Sequence, residues 1–268
     1  LEPEAAQEAE SEVNTSWNTS QNSNVASALS WQAERQPVAT AIHFQKKNRL
    51  GRTAWHACSY QELDSLSDAY ARGLHAFGIG PGTRTALMLR PGLDFFAVFF
   101  ALFKAGAVPV LIDPGIGKNP LKQCLEEAAP EAFIGVTRAQ LARKIFGWAR
   151  KSCKHAVTAG PKFGLGGISL KKLRLLGERS NEEIIHQAEP NDMAAILFTS
   201  GSTGAPKGVV YRHRHFVAQV ELLRSAFGIE PGEVSLPTFP PFALFDPALG
   251  MTTVVPPMDP TRPAEADP

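Results

Sequence analysis

The chain has only three cysteines, Cys58, Cys124 and Cys153. They are widely spaced and odd in number, so they suggest neither a disulfide framework nor a metal-ligand set; a reducing compartment is expected, cytoplasmic by default. Excess charge is also missing, since 27 Lys and Arg face 26 Asp and Glu. Overall charge therefore points to no nucleic-acid partner, and an acidic surface could be met only by a local patch. No apolar run reads as a transmembrane segment: the most apolar stretch, residues 95–112, is broken by Lys104, Gly106 and Pro109 and reads as a helix followed by a strand. The first 24 residues lack the basic start and apolar core of a secretory signal. They carry five glutamates and no Lys or Arg. Such a segment cannot bury enough apolar surface to offset its ordering entropy, so residues 1–24 are expected to form a disordered acidic and polar tail.

What is present is enough for a large core, with 44% hydrophobic residues. A helical pattern over residues 25–35 stops before Pro37, and residues 39–44 read as a strand. Ser59-Tyr60-Gln61-Glu62 has the spacing of a capping box. Leu63, Leu66, Ala69, Tyr70, Gly73, Leu74 and Phe77 then recur three and four apart, giving a helix with one apolar face that ends at Gly78 and Gly80-Pro81-Gly82. Strands at 85–89, 108–112 and 132–136 alternate with helices at 95–105 and 121–129. That alternation predicts an α/β fold, a mostly parallel sheet with helices packed on its faces.

Residues 138–174 hold ten Lys or Arg and no Asp or Glu. The plain reading is a solvated helix face followed by a basic loop; the functional one is a site for peripheral contact with a membrane surface or an acidic partner. Gly164-Leu165-Gly166-Gly167 lacks the strand-loop-helix setting of a dinucleotide motif and reads as a turn.

The stretch hardest to explain without a ligand is residues 199–208, Thr-Ser-Gly-Ser-Thr-Gly-Ala-Pro-Lys-Gly. Thr199, Ser200, Ser202 and Thr203 offer hydroxyls, Gly201 and Gly204 offer unshielded amides, and Lys207 adds a cation. A polyphosphate needs that combination. The apolar run 194–198 before it and the triplet 209–211 after it read as strands, which argues against a flexible linker. It is no Walker A loop: counting from Gly201, the second glycine position holds Pro206, and Lys207 is followed by Gly208 instead of a hydroxyl.

Residues 198–208 instead resemble the phosphate-binding signature of the adenylate-forming superfamily, which includes acyl-CoA synthetases, luciferases and peptide-synthetase adenylation domains. Residues 102–114 and 60–84 are similar to its second core segment and its early helix and turn, so the likeness covers residues 25–268. It implies part of a large amino-terminal domain of stacked, mostly parallel sheets with packed helices, and it implies ATP and Mg2+. In that chemistry a carboxylate attacks the α-phosphorus of ATP and pyrophosphate leaves. Thr199, Ser200, Ser202, Thr203 and the amides of Gly201 and Gly204 would hold the phosphates, with Lys207 as a supporting catalytic counter-charge. Loss of one such donor would cost about 2 to 4 kcal/mol in the activated step.

Residues 238–250 stand where the family has an aromatic segment lining the acyl pocket, which makes Phe242, Phe245 and Asp246 candidate substrate contacts; Phe239, Phe242 and Phe245 fit core packing as well. The segment continuing to residue 263 is similar to the branch that makes β-lactones in bacterial long-chain olefin biosynthesis, often labelled fatty acyl-CoA ligases. There a long-chain 2-alkyl-3-hydroxy acid is adenylated and its own hydroxyl displaces AMP, alongside other enzymes of the same pathway. A fatty acyl-CoA or acyl-AMP ligase and a non-catalytic truncated product are the alternatives. His213 and His215, read as part of a β-like run before a helix at 216–227, fit a structural or surface role better than a metal site.

No tyrosine follows Tyr211, so the family's Tyr-Gly-x-Thr-Glu segment, with its magnesium-binding glutamate, has no counterpart, nor has the later small domain with its lysine. The chain is therefore expected to be an incomplete domain that does not turn over alone.

Overall fold

The computed structural model describes Trp17 and residues 23–47, 52–199, 206–237 and 243–258. In chain order the elements open with helix α1 (Ala26–Arg35), strands β1 (Thr40–Lys47) and β2 (Thr53–Ser59), helix α2 (Tyr60–Ala76), strand β3 (Arg84–Met88), helix α3 (Leu93–Lys104) and strand β4 (Val108–Ile112). A 3-10 turn (Pro114–Ile116) leads to helix α4 (Lys118–Ala128), strand β5 (Ala132–Val136), helix α5 (Thr137–Phe146), strands β6 (His155–Ala159) and β7 (Ile168–Ser169) and helix α6 (Leu170–Gly177). Strands β8 (Met193–Thr199) and β9 (Lys207–Arg212), helix α7 (His213–Phe227), strand β10 (Val234–Ser235), helix α8 (Asp246–Leu249) and strand β11 (Thr252–Val254) complete the described chain.

Two sheets result. The larger runs β7-β6-β5-β3-β4-β8-β9. It is parallel up to β8, and β9 returns antiparallel to β8. The smaller runs β10-β11-β1-β2. The alternating strand-helix pattern is thus borne out as an α/β fold with helices between and around stacked sheets. Parallel strands are fed by helices because each connection must cross the sheet.

The strands alternate their side chains between two cores, as the pleat requires. Val108, Val110 and Ile112 of β4, Phe133 of β5 and Ile196 and Phe198 of β8 pack with Leu121, Cys124 and Leu125 of α4. Leu111, Ile134 and Ala195 point the other way, into the core that holds α1, α2 and α3 and also Ile42 and Met251 of the smaller-sheet region. Helix α3 is buried on all sides from Phe95 to Lys104, which explains its near-continuous apolar sequence. Its one cation, Lys104, is fully buried and bonds Asp64 Oδ1 at 2.6 Å and Asp68 Oδ1 at 2.5 Å, both on α2.

The capping box forms as its spacing requires: Glu62 N donates to Ser59 Oγ (3.2 Å) and Ser59 N donates to Glu62 Oε2 (2.8 Å). Gly78 follows with φ of +85°. The basic stretch differs from its plain reading, because beyond α5 it supplies two strands of the large sheet and a helix. The buried apolar residues of these two strands are Val157 of β6 and Ile168 of β7, too few to announce strands. Gly164, Gly166 and Gly167 do form a turn, with φ of +71°, +82° and +64°. Within the acidic amino-terminal stretch, Trp17 Nε1 donates to Ser27 Oγ (2.9 Å), and the buried Asn24 donates through Nδ2 to Phe103 O (2.8 Å); the rest of residues 1–22 lies outside the described residues.

Candidate active site

The hydroxyl- and glycine-rich stretch joins β8 to β9. Phe198 pairs with Gly208 and Thr199 with Lys207, so the backbones of Thr199 and Lys207 close the base of a hairpin loop. Ser200, Gly201, Ser202, Thr203 and Gly204 lie outside the described residues. The loop leaves the carboxyl end of β8, beside the carboxyl end of β4, the edge of open α/β sheets at which ligands bind. Lys207 is exposed there. At the end of β4, Asp113 Oδ1 accepts from Gly115 N at 2.8 Å and turns the chain.

Gly208 is demanded by its neighbour. A Cβ on it would stand 2.9 Å from Phe198 Cζ and 3.4 Å from Glu127 Oε1 of α4. The hairpin base is therefore packed against the helix layer on the face that holds Phe198.

Of the acyl-pocket candidates, Phe242 lies outside the described residues. Phe245 and Asp246 are adjacent at the start of α8, and each is 6% exposed. The Phe245 ring lies 5.7 Å from that of Phe216, which in turn lies 5.5 Å from Phe103. Asp246 Oδ2 accepts from Thr253 Oγ1 at 2.8 Å. Burial pushes its carboxyl up to about 6, against the lowering effect of hydrogen bonds from Thr253 and Ser235. Nearby, the Tyr60 hydroxyl donates to Met251 O at 2.7 Å, and burial, then the Asp246 charge, raise its pKa. The structure thus brings together Thr199 with Lys207, and Phe245 with Asp246. Among the described residues no hydrogen bond, ion pair or ring contact joins the two pairs.

His213 and His215 belong to the first turn of α7, not to a β-like run. The reason is local: Arg212 is the last residue paired across the hairpin, opposite Met193. Beyond it the amides of His213 and Arg214 find Asp192 O (3.2 Å) and Pro190 O (3.0 Å) instead. His213 is buried 5.9 Å from the Phe103 ring, and desolvation lowers its pKa to about 4, opposed by Asp192 and assisted by His186. It is neutral at pH 7. His215 Nδ1 accepts from Arg212 N at 3.2 Å. Among the described residues no three His, Cys, Asp or Glu side chains gather as a metal site, so no magnesium ligand is assigned.

Sequence reasoning missed Thr253 and Tyr60 as neighbours of Asp246. Thr253 is seven residues away on another element, a distance with no periodic signature.

The chain matches the model of the AMP-binding enzyme family over residues 29–265, and it belongs to that family, the adenylate-forming enzymes, which use ATP and typically Mg2+. It is 56% identical over 247 residues to the olefin beta-lactone synthetase of Xanthomonas campestris pv. campestris, covering 91% of this chain and 44% of that protein. It is 54% identical to the olefin beta-lactone synthetase of Stenotrophomonas maltophilia, over 91% of this chain and 45% of that one. The anthranilate CoA ligase AuaEII in complex with anthranoyl-AMP shares the fold, with a TM-score of 0.76 and 17% identity over 89% of this chain and 46% of that one. The chain spans less than half the length of these proteins. Among the described residues no helix is long and apolar enough to cross a membrane.

Proposed function

We propose that a protein of its relatives' length carrying this chain is an ATP-dependent ligase that activates a long-chain 2-alkyl-3-hydroxy acid as its acyl-adenylate and closes it to a β-lactone. The observation that carries this reading is the hairpin loop of residues 199–208 at the carboxyl edge of β8, within a chain 56% identical to an olefin beta-lactone synthetase.

A carboxylate is a poor electrophile at carbon, and adenylation gives it a leaving group. The carboxylate oxygen bonds to the α-phosphorus as the bond to pyrophosphate breaks. Donors that hold the β- and γ-phosphates orient this in-line attack and meet the charge that moves onto pyrophosphate. Thr199, Ser200, Ser202, Thr203 and the amides of Gly201 and Gly204 are assigned that work, and Lys207 supplies the counter-charge from the first position of β9. The substrate's 3-hydroxyl then attacks the acyl carbon, loses its proton and expels AMP, closing the four-membered ring. Coenzyme A has no part in it. Mg2+ would neutralise the phosphates during the first step. Phe242, Phe245 and Asp246 are assigned to the acyl side of the site, with Phe245 and Asp246 as a buried wall. The enzyme would act in the cytoplasm with enzymes that supply the hydroxy acid and consume the lactone.

The test is incubation with ATP, Mg2+ and a 2-alkyl-3-hydroxy acid, with and without coenzyme A. The protein of full relative length and the 268-residue chain are assayed side by side for pyrophosphate and for lactone. Lactone formation without coenzyme A supports the proposal. Adenylate that accumulates until coenzyme A converts it to a thioester would make the protein an acyl-CoA ligase.

A further inference from the structure

Helix α5 turns its large apolar residues outward. Its inner side carries only small apolar residues, Ala139 and Ala142, packed against the core, and is anchored by a polar one: Gln140, 1% exposed, donates through Nε2 to Phe133 O (3.1 Å) and Val157 O (2.9 Å), bridging β5 and β6. Arg143 lies beside it, its Nε 3.0 Å from Gln140 Oε1 and its guanidinium 5.6 Å from the centre of the Phe133 ring. The apolar Leu141 and Ile145, one helical turn apart, face outward at 49% and 66% exposure. A helix that held the sheet by hydrophobic packing alone would turn Leu141 and Ile145 inward.

Two further features flank this face. Lys144 adjoins the 160–167 turn, its Nζ 3.9 Å from the place a Cβ on Gly166 would occupy, and Thr137 Oγ1 at the start of α5 donates to Pro161 O (2.7 Å). That turn carries Phe163, 80% exposed. On the other side, a groove of about 900 Å3 between α4 and the end of α5 is lined by Lys144, Ile145, Arg150 and Lys151. Glu126, which also lines it, already faces Lys122 at 3.9 Å. Lys144, Arg150 and Lys151 are exposed and form no ion pair among the described residues.

We propose that this face of α5 docks on an anionic lipid surface, with Leu141, Ile145 and Phe163 entering the headgroup boundary and Lys144, Arg150 and Lys151 meeting the lipid phosphates. Outward apolar side chains bordered by cations are what a helix lying in a bilayer interface presents. An acidic protein would satisfy the cations but gives no reason for three apolar side chains to stand in water among them. The surface shares no residue with the stretch 199–208, and its role does not depend on the adenylation chemistry.

The test is co-sedimentation of the chain with phosphatidylcholine vesicles, with and without phosphatidylglycerol, at low and high salt. Binding is expected only with phosphatidylglycerol and is weakened by salt. Joint neutralisation by Lys144→Gln, Arg150→Gln and Lys151→Gln lowers the partition by about a hundredfold, at roughly fivefold per cation, and the three Glu substitutions give a larger loss. Leu141→Ser with Ile145→Ser lowers it by about tenfold. Leu222→Ser with Phe227→Ser, apolar positions on α7 that are more exposed than the α5 pair, leaves it unchanged. All are surface positions, and unchanged circular dichroism melting shows that the variants fold. Equal binding to neutral vesicles, indifference to the substitutions at Leu141, Lys144, Ile145, Arg150 and Lys151, or loss on the α7 pair instead would overturn the proposal. So would retention on a polyglutamate matrix with none on anionic vesicles, which would assign the face to an acidic protein.

Discussion

Phe198 and Gly208 face each other across the last pairs of the β8–β9 hairpin, so closely that a Cβ on Gly208 would stand 2.9 Å from Phe198 Cζ. Phe198 is buried and packs within the core that holds α4. Gly208→Val is expected to cost about 1 to 3 kcal/mol by overpacking and to weaken ATP binding by displacing the loop base. Adding Phe198→Leu should restore much of the stability in urea unfolding. An equal loss in both backgrounds would show that the ring is not the obstacle.

Asp246 is a second handle, through pH. Its carboxyl is raised from 3.8 to about 6 by burial, so the folded chain holds a proton that the unfolded chain has released. The favourable contribution is complete below pH 3.8 and is lost as pH rises through 6. Asp246→Asn keeps an acceptor for Thr253 Oγ1 and removes the titration. Relative to this variant, the unsubstituted chain should lose on the order of 2 kcal/mol between pH 4 and pH 7.5 in urea unfolding. Parallel profiles for the two proteins would contradict the assignment.

The alternation of strand and helix up to residue 136 was legible because each element there has its own apolar period and its own stop. Ser59 with Glu62, and Gly78, are examples in which cap and terminator agree with the tertiary packing. Strands β6 and β7 were not legible, since an edge strand such as β7 needs only one buried residue, Ile168, and the cations around it dominate the local pattern. Helix α5 was expected as a solvated helix face, but its anchoring to the sheet through Gln140, beside the small Ala139 and Ala142, was not legible because no stripe of large apolar residues marks its inner side. At the candidate site, the loop residues announced themselves by composition. The environment of Asp246 did not, because Tyr60, Ser235 and Thr253 converge on its neighbourhood from three separate elements.

Lys104 ties α3 to α2 by charge in a position with no solvent exposure. Desolvation raises the Asp68 pKa in spite of the lysine, so the cluster is held at a cost and is sensitive to the loss of one member. Lys104→Met should destabilise the fold by about 3 kcal/mol, the low end for a broken buried pair because Asp64 and Asp68 keep 18% and 31% exposure. Adding Asp64→Asn and Asp68→Asn should recover more than half of that loss. Failure to recover would mean that packing of the lysine stem, not its charge, is what α3 requires.

Helices α2 and α6 cross at two glycines. A Cβ on Gly177 would fall 1.8 Å from Ala69 O and 2.7 Å from Gly73 N, and one on Gly73 would fall 2.2 Å from Leu173 O. These obstacles are backbone atoms, which cannot turn aside as a side chain can. Gly228 offers the opposite case, with φ of +63° and nothing within 4 Å of its would-be Cβ. Gly228→Ala therefore suffers only the left-handed backbone penalty, about 1 kcal/mol. Gly177→Ala has no such penalty, yet it must push two helices apart and should cost about 3 kcal/mol. Urea unfolding of the two variants measures the contrast directly. If Gly228→Ala proved the more damaging, close approach of α2 and α6 would not be what holds this side of the sheet.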